Sequence, residues 1–91
     1  MGAITARRFL ISGRVQGVGY RYFALRSAQA AGVSGWARNI ADGRVEVHAN
    51  GTESQLDDFE ARLRTGPPFA DVRSVESTEV PVLELSGFHI R

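Results

Sequence analysis

Phe9-Leu10-Ile11-Ser12-Gly13-Arg14-Val15-Gln16-Gly17-Val18-Gly19-Tyr20-Arg21 is the stretch on which the fold of this chain turns. An apolar run opens it, three glycines break it, and a helix-like pattern from Tyr22 to Ala31 follows. No acidic residue falls within it. A strand that breaks into a glycine-rich turn and then opens a helix aims several backbone N–H groups at one point. The first N–H groups of a helix have no partner of their own, and the dipole adds roughly half a positive charge there. Such a turn binds anions. Arg21 stands at the mouth of the helix with a permanent charge and a fork of donors matched to phosphate oxygens.

The spacing excludes the commonest phosphate loops. No Lys-Ser or Lys-Thr pair follows the glycines, so this is not a Walker loop. Gly17-Val18-Gly19 lacks a third glycine at Tyr22, and the chain is too short for a Rossmann domain. The plain alternative is a tight turn whose glycines serve backbone geometry alone.

Outward from the loop, Arg7 to Gly13 reads as a strand, with Phe9 and Ile11 on one face and Arg8, Leu10 and Ser12 on the other. Its mostly apolar centre predicts an interior place in a sheet. Residues 1–6 are expected to fray. The first helix runs from Tyr20 to Ala31, burying Phe23, Ala24, Ser27, Ala28 and Ala31, and turning Arg26 and Gln29 to water. Gly32 caps it.

Val33 to Ile40 reads as a second strand with Trp36 as its core anchor. Asp42-Gly43 signals a two-residue hairpin turn. Arg44 to Asn50 alternates cleanly, Val45, Val47 and Ala49 against Arg44, Glu46 and His48. Thr52 with Gln55 forms a capping-box pattern opening a second helix, whose buried stripe is Leu56, Phe59 and Leu63. Gly66-Pro67-Pro68 ends it. Val72 to Val80 alternates poorly, with Val72 and Val75 on opposite faces, and is expected at a sheet edge. Pro81 interrupts it. Phe88 to Arg91 closes the chain as a short strand with Phe88 and Ile90 inward.

The order is β-α-β-β-α-β with one further short strand, the ferredoxin-like split βαβ pattern of the α+β class. Two helices are expected on one face of a mainly antiparallel sheet. Strands one and two should run parallel with strand three between them, so their C-terminal ends meet at one edge, about 10 Å apart. The loop carrying Arg21 and the strand end carrying Asn39 then face a shared pocket.

Composition bounds the rest. A chain of 91 residues is long enough for one core, and a single domain over residues 1–91 is expected. A net charge of +1 makes no general nucleic-acid magnet. All 11 basic residues are arginine, which excludes lysine Schiff-base chemistry. With no cysteine, disulfides and thiol nucleophiles are absent. No run is long enough to span a membrane and no leader is apparent, so a cytoplasmic location is expected. His48 and His89 fall on polar strand faces, too far apart to suggest a metal.

Gly13-Arg14-Val15-Gln16-Gly17-Val18-Gly19-Tyr20-Arg21 closely resembles the signature loop of the acylphosphatase family. Gly35-Trp36-Ala37-Arg38-Asn39-Ile40-Ala41-Asp42-Gly43-Arg44-Val45-Glu46 resembles its second motif, and Gly66-Pro67-Pro68-Phe69-Ala70-Asp71-Val72 its looser third segment. The resemblance implies the ferredoxin-like fold and hydrolysis of a carboxyl–phosphate bond to a carboxylate and inorganic phosphate. It implies Arg21 and Asn39 as the catalytic pair and the backbone of Gln16, Gly17, Val18, Gly19, Tyr20 and Arg21 as the phosphate cradle. It implies no metal, no cofactor and no covalent intermediate. The expected ligands are a small acyl phosphate and phosphate itself, with neither nucleic acid nor membrane as partner and a monomer as the working unit.

Two other functions fit the same fold class. One is an RNA-binding module, which would carry stacking aromatics on the third strand; here that strand reads Arg-Val-Glu-Val-His-Ala-Asn. The other is an acylphosphatase-like domain handling carbamoyl phosphate for a larger enzyme.

Overall fold

The computed structural model describes residues 2–91. In chain order the elements are β1 (Thr5–Arg14), α1 (Tyr20–Ala31), β2 (Ser34–Asn39), β3 (Val45–Gly51), α2 (Glu53–Thr65), β4 (Asp71–Val80) and β5 (Phe88–Ile90). The strands form one sheet in the order β4-β1-β3-β2-β5. β3 is antiparallel to both β1 and β2, so these two run the same way on either side of it. Ile11 of β1 and Asn39 of β2 are both level with Val45. The C-terminal ends of β1 and β2 therefore share one edge, as the topology predicts.

Both helices pack on one face of the sheet and against each other. Phe9, Ile11, Val45, Val47 and Ala49 meet Ala24 and Ala28 of α1 and Leu56, Phe59 and Leu63 of α2, all buried. Phe59 contacts Phe9 edge-on at 5.8 Å and Phe88 edge-on at 5.9 Å, tying α2 to a central and an edge strand. The capping box at Thr52 and Gln55 forms as expected: Gln55 N–H donates to Thr52 Oγ1 at 3.2 Å and Thr52 N–H to Gln55 Oε1 at 2.9 Å.

Several details depart from the sequence reading. Thr5 and Ala6 do not fray; they pair with Gly51 and Asn50, and Ala6 is fully buried. Trp36 is not a core anchor. Alternation assigns the helix side of β2 to the small Gly35 and Ala37, where α1 packs close. Trp36 lies half-buried on the other face, stacked on His48 at 6.0 Å with the Arg91 guanidinium 4.6 Å from its ring centre. The β2–β3 hairpin is wider than a two-residue turn. Ile40 N–H donates to Arg44 O and Gly43 N–H to Ile40 O, leaving Ala41-Asp42-Gly43 as the loop, with Gly43 at φ 94°.

β4 is an edge strand, as expected, and its poor alternation has a cause. Ser12 pairs with Ser74 but Gly13 with Val72, so Arg73 is an extra residue on β4. The bulge brings Val72 and Val75 to the same side: Val75 is buried and Val72 packs against the core. Gly13 permits it, because a Cβ there would lie 2.1 Å from Asp71 O.

Candidate active site

The loop after β1 is anchored by Val15, which is fully buried. Gly17 and Gly19 adopt φ of 73° and 80°, the left-handed region that L side chains rarely enter. A Cβ at either would meet nothing within 4 Å, so torsion and not space requires glycine there. Gly19 is the N-cap of α1 and supplies no side-chain cap, and the first turn carries no acidic residue. The N–H groups of that turn are left open, with their dipole unopposed by any protein carboxylate in the turn.

Three side chains fix the frame around these groups. Tyr20 is buried, and its hydroxyl donates to Leu63 O at 2.7 Å, locking the start of α1 to the end of α2. Burial pushes its phenol above the ordinary tyrosine range, so it stays a neutral donor. Gln16 Nε2 donates to Ile40 O at 2.8 Å and Arg44 O at 2.9 Å, pinning the loop to the β2–β3 hairpin. Asp42 accepts from Arg44 N–H and Nε at 3.1 and 2.8 Å. Those bonds hold its carboxyl below the usual carboxylate range and brace the same hairpin.

A cleft of about 180 Å³ opens where the loop, α1, β2 and β5 meet. Arg21 and Asn39 both line it, together with Gly17, Gly19 and Tyr20. The two residues singled out as a pair thus share one cavity. Gln16 and Val18 do not line it: the Gln16 side chain turns to the hairpin and Val18 packs on the core. Arg21 Nη1 donates to Arg91 O at 2.9 Å, which fixes its direction. The Asn39 amide has no hydrogen-bond partner among the described residues, so both its donor and its acceptor are open to a ligand.

No lining residue is a carboxylate, histidine, serine or threonine. Apart from the phenols of Tyr20 and Tyr22, the cleft offers charge and donors and no side-chain nucleophile or general base. Its volume holds a tetrahedral anion and a few waters, each about 30 Å³. The described residues contain no cluster of three metal-binding side chains and no helix long and apolar enough to cross a membrane.

Sequence reading missed Ile90, Tyr22 and the Arg91 backbone oxygen. Ile90 was expected inward with Phe88; it is 43% exposed and walls the cleft instead. The Ile90 wall and the Arg91 contact depend on how β5 lies beside β2, parallel from Gly35 with Phe88 to Ala37 with Ile90, and the sequence carries no local signal for that pairing.

A family model described as acylphosphatase matches residues 7–90. An acylphosphatase from Solibacter usitatus is 49% identical over 86 residues, covering 94% of this chain and 90% of that one. The crystal structure of acylphosphatase from Bacillus subtilis superposes with a TM-score of 0.91 at 40% identity, covering 96% and 98% of the two chains. Full-length HypF in its phosphate- and nucleotide-bound form contains a similar unit, with a TM-score of 0.92 at 29% identity over all of this chain and 12% of that one. Matched almost end to end by the family model and by relatives of its own length, the chain belongs to the acylphosphatase family.

Proposed function

We propose that this chain hydrolyses acyl phosphates in the cleft between the glycine loop and the end of β2. The observation that carries the reading is that Arg21 and Asn39, distant in sequence, line one cavity beside the open N-terminus of α1. The backbone N–H groups from Gln16 to Arg21 cradle the phosphoryl group. Arg21 binds its oxygens and stabilises charge as it moves onto the leaving group. Asn39 holds the attacking water through its amide.

Water attacks phosphorus, the bridging P–O bond breaks, and the acyl group leaves as a carboxylate. A carboxylate is a weak base and needs no proton to depart. The water's protons stay on the new phosphate, since no lining side chain is a base. Positioning and electrostatics supply the rate. No metal takes part, and one chain completes the site.

Benzoyl phosphate hydrolysis, followed by absorbance with chelator present, tests this. Folded protein should turn it over, and inorganic phosphate should inhibit competitively. Arg21→Ala and Asn39→Ala should each lower kcat by roughly 10²-fold or more, the scale of losing a charge-stabilising donor. Full activity in a folded Arg21→Ala variant would rule out the assignment, and loss of wild-type activity to chelator would rule out the metal-free route.

A further inference from the structure

We propose that the acyl half of the substrate lies in a second groove running from the phosphate cleft along α1, and that this groove selects acyl phosphates with an apolar body and a second anionic group. The inference rests on the acyl phosphate reading of the cleft. The groove, of about 470 Å³, is contiguous with it: Gly19 and Tyr22 line both. Along α1 it follows Gly19, Tyr22, Phe23 and Arg26, which recur at helical spacing on one stripe. Arg62 of α2 and Pro67-Pro68 form the opposite wall.

The first part of the groove is apolar. Tyr22 is 59% exposed and faces the same space as Phe23 and the two prolines. The far part is cationic. Arg62 is partly engaged, donating from Nε to Asp58 Oδ1 at 3.2 Å. Arg26 has no hydrogen-bond or ion-pair partner among the described residues, and no acidic residue lines the groove or the cleft.

From Gly19 to Arg26 the helix rises about 10 Å. Helical side chains lean back toward the N-terminus, so the Arg26 charge falls roughly 6–10 Å from the phosphoryl site. A substrate with its phosphate on the loop and a flat apolar body against Tyr22 would bring a terminal carboxylate to Arg26.

The test compares benzoyl phosphate with 4-carboxybenzoyl phosphate, using the full chain and its Arg26→Gln and Arg26→Glu variants. Arg26 is exposed, so circular dichroism should be unchanged. The ratio of KM for the carboxylated substrate to KM for the plain one should rise about fivefold in Arg26→Gln, the scale of one partly exposed ion pair. It should rise further in Arg26→Glu, and the wild-type preference should weaken with added salt. Equal ratios in wild type and both variants, with both substrates hydrolysed, overturn the groove and leave the cleft intact. No hydrolysis of either substrate by folded wild type overturns the acyl phosphate reading and this inference with it.

Discussion

The Gln16 side chain has no charge and turns away from the cleft, yet its amide holds the two halves of the site together. Its NH₂ group spends both protons on the carbonyls of Ile40, next to Asn39 at the end of β2, and Arg44, just before β3. Gln16→Glu is nearly isosteric but replaces two donors with an acceptor facing two carbonyl oxygens. The variant should lower kcat for benzoyl phosphate by about tenfold or more, as expected when a catalytic group is displaced slightly. KM should change less, because the α1 N-terminus and Arg21 remain. Steady-state kinetics check this, and kinetics equal to wild type would show that the loop holds Asn39 in register without the clamp. At this scale the sequence was legible in part. The resemblance to the family's two motifs singles out Arg21 and Asn39, and the topology predicts that the ends of β1 and β2 beside them meet at one edge. The Gln16 clamp was not legible, because backbone carbonyls have no sequence signature. Nor was the Arg21–Arg91 contact, which depends on where β5 docks.

Among the elements, α2 is tied to the sheet through Phe59. Its ring is fully buried between Phe9 and Phe88, which belong to strands on opposite sides of the sheet centre. Phe59→Ala should destabilise the fold by about 3–5 kcal/mol. Small domains are stable by only about 5–15 kcal/mol, so the urea midpoint should drop sharply. Activity per folded molecule should persist at low temperature, since Phe59 does not line the cleft. A loss of stability of only about 0.5 kcal/mol or less, from the midpoint shift and m-value, would mean the Phe9–Phe59–Phe88 stack is not a principal tie. Periodicity revealed the Leu56-Phe59-Leu63 stripe and both helices. It misjudged β2 and β4 for separate reasons. On β2 size favours Trp36 as the anchor, but Gly35 and Ala37 occupy the helix face and Trp36 lies on the other. On β4 one bulge at Arg73 reverses the alternation, and no reading of a single strand shows its partner's register. The crossover from β4 to β5 was equally invisible. Asn50 secures it by giving a 2.7 Å bond to Leu83 O and accepting one of 3.2 Å from Leu83 N–H, as a neighbouring strand would.

Across the molecule as a whole, the two sheet faces divide the work. The helix face supplies the apolar core; the other face is held by charge and rings. Glu46, buried near the start of the central strand β3, accepts from Arg8 Nε on β1 and from Arg38 Nε on β2, each at 2.5 Å, and so ties three strands together. An RNA-binding domain would leave rings open on such a face. Here His48 is buried under Trp36, and Arg38 and Arg91 lie over the indole. The Glu46 tie should make stability depend on pH in a defined direction. Burial alone would raise its pKa; the hydrogen bonds and charges of Arg8 and Arg38 outweigh burial and hold it below the usual glutamate value. A carboxyl whose folded pKa is depressed favours the folded state fully above its unfolded pKa, about 4.3, and loses that contribution as pH falls through the folded pKa. Glu46→Gln removes the titration and the two charge-assisted bonds, and should cost about 1–3 kcal/mol at pH 7. The gap between wild type and variant should stay constant from pH 7 to about pH 5 and narrow steadily below about pH 4. Urea unfolding of both proteins across that range measures it. A gap that keeps its full size down to pH 3 would mean that Glu46 does not gain from Arg8 and Arg38 in the folded state, and that the core on the other face alone holds the three strands in register.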